Sequence, residues 1–398
     1  MSFAPLLAVF PSRAASASLL APCLPLIALS LGTSYEGVGS VVAAVCAGFA
    51  VAVMSVGALG HRVRPRVLLL SGAVVQVVAV VAFASVQSLE IARMVALVYG
   101  AAGVADVTAT AILARAGGAR RGHLLSLAHG SYALGSVIVP LAAGFVLEAG
   151  GTWRLLFAMV AGLNALVLVW LVLSGAGREV ASQQSTGATV HQSAGVALWK
   201  NGKFRRGALA MALYIAAETG PSIWLPTWFR DRFGASVPVA AASVAVFWAS
   251  MTAGRLLMAG RVDLDDARRF VARLSLIAAA AWVVVLLSGQ IAVAFIGVAV
   301  FGLAMSICAP ALQGFAARPF PGLETSVIGW LSAAAGMVGA ISPWVVGAVA
   351  ERLQDGQADG GFGLTWALAG GPAFLLAMSL VVGRSTGSTA AGKARPMS

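Results

Sequence analysis

Ser136-Val137-Ile138-Val139-Pro140-Leu141-Ala142-Ala143-Gly144 has a counterpart 203 residues further on, Gly339-Ala340-Ile341-Ser342-Pro343-Trp344-Val345-Val346-Gly347. Both read small-x-x-x-Pro-x-x-x-Gly inside an apolar run. Small residues let two helices approach closely, and a proline bends the helix that carries it. Either element alone is ordinary in a membrane helix. Together, at about half the chain length, they point to duplicated halves.

Outward from these two elements, apolar runs fill the chain. They fall at 5–31, 37–59, 67–86, 91–114, 124–147 and 155–173, then at 207–229, 237–259, 270–288, 291–312, 325–350 and 362–382. Most reach the roughly 20 residues that carry a helix across a bilayer. The 398 residues are 60% hydrophobic and only 10% charged, with a mean hydropathy of +0.92. A water-soluble domain carries about 25% charged residues, so this chain lacks the polar surface to be one. The expected fold is an all-α polytopic membrane protein, with about twelve transmembrane helices in two pseudo-symmetric six-helix halves. The expected units are residues 1–173 and 207–398, joined by a polar linker at 174–206 whose Gln/Ser/Thr-rich part, 182–193, is typical of flexible connections.

The net charge is +12. In a soluble chain that would suggest nucleic acid, but here the basic residues sit in short loops. With the N-terminus inside, the inner loops collect Arg62, Arg64, Arg66, Arg115, Arg120, Arg121 and most other basic residues, while the outer loops hold Glu36, Glu90, Glu148, Asp231 and Glu351. The Lys/Arg bias of short loops sets topology, so both termini are expected in the cytoplasm, with the protein in the cell membrane and acting as a monomer. Anionic lipid on the inner leaflet is the bland use of that basic excess. Cys23, Cys46 and Cys308 lie within apolar runs without ligand spacing. No nucleotide loop and no catalytic or metal-binding constellation is present, so no enzyme activity, metal or cofactor is expected.

Only two acidic residues fall well inside a span, Asp106 and Glu218, roughly 12 and 16 Å from the inner surface at 1.5 Å per residue. An ionised carboxylate in hydrocarbon costs several kcal/mol, a cost that protonation removes, which suits a proton carrier. The bland alternative is a neutral acid hydrogen-bonded between helices. His129 lies at nearly the height of Asp106, so an Asp–His couple and a plain carbonyl or headgroup contact both stand. Arg13 also has two readings: buried at the depth of Asp106 and pairing with it, or an anchor at the inner interface. Arg13, Tyr132, Tyr214, Trp248, Ser306 and Gln313 are candidate lining of a solute cavity, whereas Trp224 and Trp228 read as interfacial belt residues.

The loop Gly57-Ala58-Leu59-Gly60-His61-Arg62-Val63-Arg64-Pro65-Arg66 resembles the loop between spans two and three of the major facilitator superfamily, roughly Gly-x-Leu-Ala-Asp-Arg-x-Gly-Arg-Arg. Gly57, Leu59, Arg62 and Arg66 match; His61 takes the acidic position and Arg64 that of the second glycine. Gly100-x-x-Gly103-x-x-Asp106, Leu125-x-x-x-His129-Gly130, Tyr214-Ile215-Ala216-Ala217-Glu218 and Gly254-Arg255 are similar to runs in the branch that contains the fucose:proton symporter. The resemblance implies alternating access, with Gly57, Arg62, Arg66 and Arg255 taking part in the conformational change. It also implies Asp106 as a proton carrier in movement of a small, sugar-like solute. The branch's span-one acid has no counterpart, since span one carries Arg13 instead. Expected, then, is a proton-coupled secondary transporter. The alternatives are efflux of a drug or metabolite by proton antiport, and a membrane sensor or interaction protein that moves nothing.

Overall fold

The first crossing is made of two helices, Ala4–Ser18 and Leu20–Leu31, that meet at a bend of 40°. The bend follows from Pro22 and Pro25, which remove backbone donors from the second helix. Eleven further helical spans follow: Tyr35–Val56, Pro65–Ala84, Leu89–Ala116, His123–Glu148, Trp153–Leu173, Gly202–Phe233, Val237–Met258, Arg268–Leu287, Ile291–Ala317, Ser326–Gln354 and Phe362–Gly383. They are numbered one to twelve below, the bent pair being span one. This is a computed structural model, and it describes residues 3–59, 62–116, 118–178, 197–258, 267–320, 323–354 and 361–383. Most of the expected linker, including 182–193, lies outside the described residues.

Local chemistry sets many of the boundaries. Ser88, Thr152 and Asn201 each place a side-chain oxygen on a backbone N–H of the following first turn, at 3.4, 3.1 and 2.8 Å, and so start spans four, six and seven. Gly32 and Gly234 end spans one and seven in the left-handed conformation that glycine adopts without strain. Span four breaks at Ala102–Gly103 and span ten at Ser306–Ile307, equivalent points of the two halves.

The proline-glycine elements lie where the halves meet. Span five runs along span eight, and span eleven along span two. A Cβ on Gly144 would stand 2.9 Å from both Ala241 Cβ and Pro238 Cα, and one on Gly347 would stand 2.3 Å from the Tyr35 carbonyl oxygen. The two glycines therefore serve symmetry-related contacts, which is why the sequence repeats them.

Apolar packing distinguishes the two ends of the bundle. Away from the termini a single buried cluster runs through both halves, from Phe83, Tyr99 and Phe157 to Trp224, Phe229 and Phe301. Toward the termini two further clusters are each confined to one half, one around Leu6, Phe10 and Ile112 and one around Phe204, Val327 and Leu331, while Val271 and Val382 of the second half still belong to the large one. At the joined end Tyr35 donates a hydrogen bond to Asp231 across the halves. The Glu36 amide donates to Glu351 at 3.1 Å, and Trp344 Nε1 donates to Glu36 at 3.2 Å. Trp224 and Trp228 correct the belt reading: both are fully buried, Trp224 edge-on to Tyr35 and Trp228 bonded to Thr365 at 2.8 Å.

Candidate functional site

Arg13 is buried, with 6% of its surface exposed, so it is no interfacial anchor. A guanidinium at that depth needs acceptors, and the neighbouring helices supply them. Its Nη1 donates to Gln76 Oε1 on span three at 3.0 Å and to the Tyr99 carbonyl on span four at 3.4 Å. The Phe49 and Tyr99 rings lie 5.7 and 5.8 Å from the guanidinium carbon, within cation–π range. Gln76 Nε2 and Asn164 Nδ2 both donate to Ser16 Oγ, at 2.8 and 3.0 Å, and the Tyr99 hydroxyl donates to the Ser16 carbonyl. This network joins spans one, three, four and six. Gln76, Asn164, Ser16 and Tyr99 were not singled out in the sequence.

Asp106 borders the same network. It sits in the first turn of the second half of span four, just after the break, where its carboxyl group faces the backbone N–H groups of Asp106 and Val107. A carboxylate at a helix start is favoured by the dipole there. The ion pair with Arg13, one of the two readings of that residue, is not formed. Asp106 shares with Arg13, Gln76 and Asn164 a cavity of about 20 Å3, the size that admits a single water, yet its buried Oδ1 has no hydrogen-bond partner. Tyr132 of span five is half-buried and has Arg13 and Asp106 as electrostatic neighbours.

The Asp106–His129 couple, one of the two readings left open by the sequence, is not formed either. His129 is exposed, packs edge-on against Phe10 at 6.3 Å, and has Arg255 of the other half as its charged neighbour. Counting along the chain puts it level with Asp106, but its neighbours in the structure are Phe10 and Arg255.

Glu218 lies on span seven, in the second half. Arg255 and Tyr214 are its electrostatic neighbours, and among the described residues it is in no ion pair. The Tyr214 hydroxyl, one turn back on span seven and fully buried, lies beside Glu218 without a partner of good geometry. Arg255 Nε donates to the Ser306 carbonyl at 3.2 Å, at the break in span ten, and Nη2 meets Met251 Sδ at 3.2 Å. Each half thus holds one acid and one cation that are close but not paired.

The other candidates divide. Trp248 and Gln313 are half-buried, Trp248 edge-on to Phe247. Ser306 does not line a cavity: it is fully buried, and its hydroxyl donates to the Leu303 carbonyl at 2.7 Å. Gly57 lies in the last turns of the Tyr35–Leu59 helix, and Arg62 is exposed. His61 lies outside the described residues. Arg66 donates to the carbonyls of Ala176 and Val172 at 2.7 and 3.3 Å, tying span three to the end of span six within one half.

Comparison with known proteins agrees with this architecture. The chain superposes on a bacterial homologue of the human lysosomal transporter Spinster in an inward-facing, occupied conformation, with a TM-score of 0.76 over 96% of this chain and 95% of that one. It also superposes on the nucleoside transporter NupG, with a TM-score of 0.75 over 96% and 98%. Both are 14% identical to it, a level at which the likeness shows the fold. No curated protein matches the sequence. The family model described as Major Facilitator Superfamily matches residues 6–343, most of the chain, and these helices arranged in two halves are the fold of that family. The chain is a membrane transporter of non-enzymatic type and belongs to the major facilitator superfamily.

Proposed function

We propose that this transporter couples a small solute to protons by alternating access, with Asp106 and Glu218 as the proton-carrying groups. The observation that carries this reading is the unpaired acid beside a held cation in each half: Asp106 near Arg13, and Glu218 near Arg255. A structural ion pair would be closed, with both charges satisfied. An acid left beside a cation whose donors go elsewhere can take a proton without breaking a salt bridge, and on losing it can draw that cation over. Binding and release of a proton then change the attraction between helices, which is what a two-state carrier needs.

Residues 1–173 and 207–398 are the bodies that rock, joined through 174–206. The Lys/Arg bias of the short loops supports cytoplasmic termini, and in this reading the protein acts as a monomer in the cell membrane. The cluster that joins the halves lies mostly away from the termini, and the two smaller clusters are each confined to one half, which supports reading the conformation as inward-facing. Moving one charge across 100 mV is worth about 2.3 kcal/mol, enough for an outside proton to drive accumulation. The resemblance to the fucose:proton symporter branch favours a sugar-like solute taken up by symport.

The test is flux into proteoliposomes under an imposed pH gradient, with the solute found by an unbiased metabolite screen. Asp106→Asn and Glu218→Gln are expected to lose gradient-driven accumulation by at least about tenfold, while solute exchange at equal pH persists. Unchanged gradient-driven flux in both variants removes the coupling role. Binding without any flux in the unmodified protein removes transport of that solute.

A further inference from the structure

Spans seven and nine both begin at the terminal end of the bundle, and their first turns lie against the ends of spans ten and twelve. Between them is a recess of about 300 Å3 lined by Lys203, Arg206, Arg268, Phe315, Pro319 and Val382, among others. Among the described residues no acidic side chain lines it, and none of its three basic side chains is in an ion pair. Arg268 is fixed in place: its Nε and Nη2 donate to the Val382 carbonyl at 3.3 and 3.0 Å, and its guanidinium carbon lies 5.2 Å from the Phe315 ring centre. Arg206 is its electrostatic neighbour, of the same sign. Asp263, Asp265 and Asp266, which precede Arg268 in the sequence, lie outside the described residues.

Like charges gathered around one recess repel each other unless an anion joins them. Two helix N-termini at the same level add partial positive charge. The floor is apolar: Ala210, Ala316 and Val382 are buried. A cationic rim over an apolar floor, at the level where two membrane helices begin, suits an amphiphile better than a free anion. We propose that this recess binds the headgroup phosphate of an anionic phospholipid, with Lys203, Arg206 and Arg268 on the phosphate and Phe315, Pro319 and Val382 against the glycerol and upper acyl chain. The site is separate from Asp106 and Glu218, so it stands or falls independently of proton coupling.

Native mass spectrometry of the full-length protein tests it, comparing retention of phosphatidylglycerol with that of phosphatidylcholine of identical chains. The protein should retain the anionic lipid preferentially. Lys203→Gln with Arg206→Gln should cut that preference roughly thirtyfold, at the usual worth of two basic residues near an anionic headgroup. The charge-matched control Lys200→Gln with Arg205→Gln, also at this end but outside the recess, should leave it unchanged. Arg268→Gln, removing one charge, should cut it about fivefold; should it fail to fold, the first pair and the control still decide. Equal retention of the two lipids, or an equal loss in the control, overturns the proposal. Displacement of the lipid by glycerol phosphate at matching concentration overturns it in favour of a soluble phosphate ligand.

Discussion

Arg13 shows how a charge is kept inside this bundle. Its donors are taken by an amide and a backbone carbonyl, and Gln76 is in turn held by Ser16. Replacing Gln76 with Leu leaves the guanidinium short of an acceptor in a place water barely reaches. The expected cost is about 1–3 kcal/mol, read as a lower unfolding midpoint of the purified protein in detergent, while Ser71→Ala on the same span should have little effect. An unchanged midpoint for Gln76→Leu would mean that Arg13 finds another acceptor. Asp106, Glu218 and the two readings of Arg13 were legible in the sequence because charges in hydrocarbon are rare enough to stand out. Gln76, Asn164 and Ser16 were not, because uncharged polar residues are ordinary in membrane helices and only folding brings these three together. His129 was misplaced for a related reason: counting along a helix gives height, but nothing in the sequence gave the side of span five on which it lies.

Between the two halves, the contact of span eleven with span two is sensitive to side-chain size. Gly347→Ala would drive a methyl group into the Tyr35 carbonyl, a clash with backbone that no rotamer relieves. Overpacking of this kind costs about 1–3 kcal/mol, here charged to the conformation in which those helices touch. The variant should spend more time open at the end away from the termini, measured as faster labelling of a cysteine placed at Thr33. Gly336→Ala, on the same span with no atom near its Cβ, should leave labelling unchanged. Equal rates in the unmodified protein and Gly347→Ala would show that the close approach is not used to hold the closed end. The span positions and the repeat were legible because apolar length and spacing are local properties. The breaks inside spans four and ten were not, although Gly100 and Gly103 stand beside the first of them; a glycine pair permits a break without dictating one.

For the whole molecule, the bonds across the joined end set the balance between conformations. Tyr35→Phe removes the bond to Asp231 while keeping the ring packed on Trp224. Loss of one such bond is worth about 1 kcal/mol, so the ratio of closed to open forms should fall about fivefold. Distances between labels on the outer ends of spans two and eight would show this as growth of the longer population; an unchanged distribution would mean the bond contributes nothing to closure. Two halves and membrane residence were readable from composition and repeat; that spans five and eleven carry contacts between the halves was not. The conformation was not, since one sequence must serve both inward- and outward-facing forms. The burial of Trp224 was hidden for a related reason, because it packs on Tyr35 of the other half, whereas Trp228 is held within its own half by Thr365 and Phe233.

Proton movement by solute alone is the most direct test of Asp106 and Glu218 as carriers. Proteoliposomes holding a pH-sensitive dye, at equal pH on both sides and with the membrane potential clamped at zero, would receive a solute gradient. The lumen should change pH with the unmodified protein, and that change should vanish in the Asp106→Asn, Glu218→Gln double variant even though solute still crosses. Solute entry with no pH change in the unmodified protein, or the same change in the double variant, would contradict the proposal.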